Sequence, residues 1–131
     1  KIIEIYGRKL KIMLEGMEEF MPEGVEWLRP EGGMFLWVTL PEGLDSPTLL
    51  EKTLKKRVAF VSGRAFYPNP EDGFGSLRLN FSYPADDLIT EGLRRLGAVI
   101  NQEMVSRWDK AADKDEKRMA DAVRGSLVGR D

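Results

Sequence analysis

Cysteine and histidine are both absent from this chain. Without cysteine there are no disulfides, no thiolate metal sites and no cysteine nucleophile. Without histidine the Ser-His and Cys-His triads fall away, together with the usual zinc ligands. A carboxylate-only metal site is the remaining metal option, and no spacing of acids argues for one. Long apolar runs are also missing, since none approaches the ~18 residues that span a bilayer. The first residues, Lys1-Ile2-Ile3-Glu4, lead into no apolar signal-peptide stretch. Neither sign of charge prevails: 20 basic residues face 22 acidic ones, for a net charge of -2. That balance gives no reason to expect nucleic acid or a membrane surface as partner. The expected location is cytoplasmic. Internal repeats are absent as well.

What is present suits one soluble domain. The chain has 131 residues, 42% of them hydrophobic and 32% charged. A domain of this size hides roughly two thirds of its unfolded surface, enough for a core without staples. Ile3, Tyr6, Leu10, Met13, Leu14, Met17 and Met21 recur at three- and four-residue steps, which predicts an amphipathic helix ending before Pro22. The pattern begins part-way through that helix and without an initiator methionine, so the chain reads as a fragment of a longer protein.

Val25 to Leu28 alternates like a short strand, and Met34 to Leu40 is the strongest strand signal. Between them, Gly32-Gly33 suits a tight turn. Ser46 followed by Pro47 predicts a helix start with Ser46 as N-cap, and Leu49, Leu50, Thr53 and Leu54 as its buried side. Val58 to Val61 predicts a short buried strand, and the glycines and prolines of Ser62 to Gly75 a loop. Ser76 to Ser82 alternates, with Leu77, Leu79 and Phe81 on one face and Arg78 and Asn80 on the other. Asn80 begins an Asn-Phe-Ser glycosylation match, discounted because it falls inside that strand. A last helix opens near Pro84, with carboxylates at its positive end and Leu88, Ile89, Leu93, Leu96 and Ile100 as its stripe. These elements predict an α+β fold with a small mixed or antiparallel sheet of about three to four strands. Residues 1–104 form the expected domain, and 105–131 a charged helical or partly disordered tail.

Three segments carry a resemblance. Pro30-Glu31-Gly32-Gly33-Met34-Phe35-Leu36-Trp37 resembles P-x-G-G-M-F-x-W, and Val58 to Phe66 resembles V-x-x-x-P-G-x-x-F. Leu77-Arg78-Leu79-Asn80-Phe81-Ser82 resembles L-R-L-x-F-[SA], followed by Glu91-Gly92-Leu93-Arg94-Arg95-Leu96 in a helix. Their order and distances are those of the C-terminal small domain of class I/II, fold-type I aminotransferases, and the subgroup they are most similar to is the aminoadipate and kynurenine aminotransferase-like enzymes. Three departures stand out: Ser62 replaces a proline, Arg64 a small or polar residue, and Lys56-Arg57 a glycine before Val58.

The resemblance implies amino-group transfer between an amino acid and a 2-oxo acid, with pyridoxal phosphate (PLP) on a lysine of a large domain. No S-x-S-K region for that lysine occurs here, which implies no catalytic or cofactor-binding residue in this chain and no turnover by it alone. Arg78 would bind the substrate's α-carboxylate, for which a guanidinium offers a planar fork. A surface arginine paired with a local acid is the plainer alternative. Phe35 and Phe66 would line the substrate side-chain pocket, against a plain reading as core aromatics. The implied partners are the large domain and further copies in a homo-oligomer. A second function class shares the resemblance: the effector-sensing body of a MocR/GntR-type transcription regulator.

Overall fold

The computed structural model describes residues 2–29, 35–80 and 85–128. Its elements in chain order are α1 (Ile2–Phe20), β1 (Glu26–Leu28), β2 (Phe35–Thr39), α2 (Ser46–Leu54), β3 (Val61–Ser62), β4 (Ser76–Asn80) and α3 (Asp86–Val128). Two 3-10 turns, Gly63–Phe66 and Pro70–Gly73, lie between β3 and β4.

Alternation decides the sheet. Leu36 and Val38 of β2 and Leu77 and Leu79 of β4 share one face, and all four are buried. Burying a side chain of this size contributes roughly 1.5–3 kcal/mol, so a slip of one residue would reverse several such gains at once. The antiparallel register sets Leu36 opposite Leu79 and Val38 opposite Leu77. β1 pairs with the other edge of β2 and β3 with the other edge of β4, giving the order β1-β2-β4-β3. The α+β expectation therefore holds, as a four-stranded sheet that is antiparallel throughout.

Met13 and Met17 of α1, with Ile89, Leu93, Leu96 and Ile100 of α3, supply the helical part of the core. The two helices meet where Gly97 lies against the Phe20 carbonyl, a spot with no room for a β-carbon.

Several boundaries differ from the sequence expectations. Asp45, not Ser46, caps α2: its carboxylate accepts the Thr48 N–H at 2.8 Å. Ser46 is instead fully buried, with its hydroxyl turned toward the 62–75 segment. Leu54 and Leu88, expected on buried faces, are exposed. The strand expected over 58–61 is Val61–Ser62, with Phe60 buried just before it and Val61 exposed. Met34, the Gly32-Gly33 turn, Phe81 and Pro84 lie outside the described residues.

The end of α2 explains the departure at Lys56-Arg57. Val58 N–H donates to Thr53 O at 2.9 Å and Arg57 N–H to Leu54 O at 3.0 Å. This is the 6→1 and 5→2 bonding of a Schellman turn, which needs its penultimate residue in the left-handed region. Arg57 occupies that place with φ of 63°. Glycine adopts it without a Cβ clash, whereas arginine is strained.

Across from this turn, Arg95 Nη1 donates to the Lys56 carbonyl at 3.0 Å and its Nε to Glu91 at 3.0 Å. Hydrogen bonds from Arg94 first and Arg95 second pull the Glu91 carboxyl down to about 2.

Residues 102–131 form a compact unit separate from 1–101. Within it the helix runs to Val128, with Trp108, Met119 and Val123 exposed. Among the described residues no helix is long and apolar enough to cross a membrane.

Two outcomes are expected. Arg57→Gly should raise stability by about 0.5–1 kcal/mol, the left-handed penalty less glycine's greater unfolded-state entropy, read as a higher urea midpoint. Glu91 titrates lower folded than unfolded, so its contribution is complete above its ordinary value of 4.5 and is lost as pH falls toward 2. Glu91→Gln should therefore flatten the fall of the denaturation midpoint across that window and leave the slope near neutrality unchanged.

Candidate functional site

The sheet has a second face, and Arg78 lies at its centre. With Leu77 and Leu79 committed to the core, alternation turns Arg78 outward. Across the strands it stands opposite Trp37 on one side and Val61 on the other. Its guanidinium carbon lies 3.8 Å from the centre of the Phe35 ring and 4.5 Å from that of Phe66. The three residues singled out in the sequence are thus brought together by the fold. Phe35 and Phe66 are 38% and 41% exposed, so neither is core; they flank the guanidinium.

Arg78 carries no ion pair among the described residues. Its Nε is buried without a hydrogen-bond partner. Among the described residues, then, no local acid pairs with it. A guanidinium held against aromatic rings keeps its in-plane donors, the geometry that a carboxylate meets with two parallel bonds.

Phe66 is carried by the 3-10 turn Gly63–Phe66, and that turn is fastened at its root. Ser62 Oγ accepts the Arg64 N–H at 3.3 Å and lies 2.8 Å from Ser46 Oγ. Ser46 Oγ and Ser76 Oγ both reach the Gly73 carbonyl, at 3.5 and 3.4 Å. Ser46 N–H donates to Phe74 O at 2.7 Å. The backbones of Gly63 and Gly73 touch, and a Cβ on either would overlap the other. Ser62, standing where the family pattern has proline, is the cap of this turn. Arg64 lies over the Phe74 ring at 4.4 Å.

Trp37 completes the wall. Its ring meets Phe66 edge-on at 5.7 Å and 74°, and Tyr67 at 6.1 Å. Sequence reasoning passed over Trp37, although the alternation that turned Arg78 outward does the same for it. The serine and glycine fastening was not visible either, because it joins three separated segments.

No family model matches the chain. Residues of this chain are 50% identical over 104 positions to aromatic-amino-acid aminotransferase 1 of Thermococcus litoralis, covering 79% of this chain and 25% of that protein. The crystal structure of a multiple substrate aminotransferase from Thermococcus profundus superposes with a TM-score of 0.77 at 50% identity, over 81% of this chain and 26% of that one. This chain is homologous to a domain of the fold-type I, PLP-dependent aminotransferases. The 2-aminoadipate transaminase of Thermus thermophilus is 37% identical over 100 residues, 76% of this chain and 25% of that protein. The aminotransferase-like domain thus spans about a quarter of the length of the curated relatives it matches.

The described residues do not fit a PLP site. The outward sheet face around Arg78 carries Phe35, Trp37, Thr39, Val61, Ser76 and Asn80, and no lysine. Lys9 is the one described lysine that is not exposed, and its ammonium pairs with Asp86 at 3.4 Å. Among the described residues no group of acids could hold a metal ion.

Gly73→Ala should cost at least about 2 kcal/mol, because backbone has to move to admit the methyl group. Ser46→Ala, which leaves polar partners buried, should cost about 1–2 kcal/mol. Both are read from chemical denaturation, and a Gly73→Ala midpoint equal to that of the parent would show the 62–75 segment to be loosely held.

Proposed function

We propose that this chain is the substrate-carboxylate-binding domain of a PLP-dependent aminotransferase. The observation that carries the reading is Arg78: outward-facing, flanked by Phe35 and Phe66, and free of any acid among the described residues. Homology to a quarter of several aminotransferases supports it.

In this reading Arg78 takes the α-carboxylate of the amino acid or 2-oxo acid through two charge-assisted hydrogen bonds. Fixing that group presents the substrate's amino nitrogen and Cα–H bond in one orientation. The rings of Phe35 and Phe66 exclude water from the ion pair, which strengthens it. PLP, the electron sink of such transfers, belongs to another domain of the parent protein. That division leaves this chain without turnover alone. The parent is a homo-oligomer, and α1 of the isolated chain is the element expected to self-associate. In this reading residues 1–104 are the aminotransferase-like domain and residues 105–131 a charged tail.

In the intact parent protein, Arg78→Lys should weaken amino-acid binding by about 1.5–3 kcal/mol, roughly tenfold to over a hundredfold. Loss of orientation should lower kcat as well, so kcat/KM falls further than binding. PLP affinity and the thermal midpoint should hardly move. Steady-state kinetics with several amino acids provide the test, and an unchanged kcat/KM for all of them would take Arg78 out of the site.

A further inference from the structure

We infer that Trp37 is a positioning residue, which holds the Arg78 guanidinium in its carboxylate-binding orientation by propping Phe66. The inference rests on the reading of Arg78 as the carboxylate ligand. Three observations lead to it. The β2–β4 register places Trp37 directly opposite Arg78, so the two side chains leave the sheet side by side on the same face. The Trp37 ring meets Phe66 edge-on at 5.7 Å, and Phe66 in turn lies 4.5 Å from the guanidinium carbon. Tyr67, the next residue along, also leans on Trp37 at 6.1 Å, so the indole supports the 66–67 backbone step from two rings.

An arginine side chain has about four freely turning bonds, and an unpaired Nε offers no hydrogen bond to fix its plane. Ring contacts are then what restrains the fork. Phe35 is fixed by being part of β2 itself. Phe66 sits instead on a short turn whose serine fastening lies at the opposite end, at Ser62. Its ring end depends on Trp37. Removing the indole lets Phe66 drift and the guanidinium turn, while Arg78 and Phe66 themselves stay chemically unchanged.

The test uses the intact aminotransferase containing this domain and two competitive probes of the same shape, 3-phenylpropionate and its neutral amide. The ratio of their inhibition constants measures carboxylate recognition, and general loosening of the pocket cancels from it. Trp37→Leu should compress the preference for the carboxylate by about three- to tenfold, the scale of one aromatic edge contact. Trp37→Phe, which keeps an aromatic edge, should restore most of it. In an Arg78→Lys background, Trp37→Leu should change the ratio no further. Should Trp37→Leu fail to fold, Trp37→Met, closer in volume, makes the same measurement. A preference untouched by Trp37 substitution but abolished by Arg78→Lys overturns the role of Trp37 and leaves the carboxylate reading standing. A preference untouched by Arg78→Lys overturns the carboxylate reading, and this inference with it.

Discussion

The pairing of β2 with β4 in one register is the constraint from which the rest follows. Its inner face is set by Leu36 against Leu79 and Val38 against Leu77, a choice dictated by burial. Its outer face is then no longer free: Trp37 must lie beside Arg78, and Phe35 one step along the same strand. The core thereby aims a charged side chain that contributes nothing to the core. A slip of β4 by one residue would bury the guanidinium and expose Leu77 and Leu79, a doubly unfavourable exchange.

A second constraint fixes what the sheet cannot reach. Phe66 arrives from the segment between β3 and β4, whose position depends on three serine hydroxyls, the Gly73 carbonyl and the contact of Gly63 with Gly73. This fastening ties the start of α2, the end of β3 and the start of β4 together at one point. Arginine and aromatic ring are thus delivered by different parts of the chain, and they meet because both are referred to the same strand.

Much of this was legible in the sequence, for reasons that differ by element. Strands β2 and β4 and the apolar stripes of α1 and α3 follow from periodicity, which reports burial directly. The roles assigned to Arg78, Phe35 and Phe66 came from motif resemblance, and the structure brings those three residues into contact. Local competition hid other features. Asp45 and Ser46 are both good caps, and the choice between them was decided by a distant serine that claims the Ser46 hydroxyl. Leu54 and Leu88 fit a helical stripe yet stand at its margin, where each is more than half exposed. The strand at 58–61 was misplaced because the Schellman turn at Arg57 takes up Val58, and pairing with β4 begins only at Val61.

The Gly63–Gly73 contact has a consequence for how such a domain can diversify. Two backbones pressed together close the nine residues between them, Arg64 to Asp72, into a self-contained excursion. Insertions or deletions beyond Tyr67 inside that excursion leave the strand register in place, because a flexible loop's closure entropy varies only slowly with its length. The pinch therefore separates two kinds of inheritance. Everything outside it is bound to the register of the strands, while inside it Phe66 and Tyr67 are tied to the sheet through Trp37.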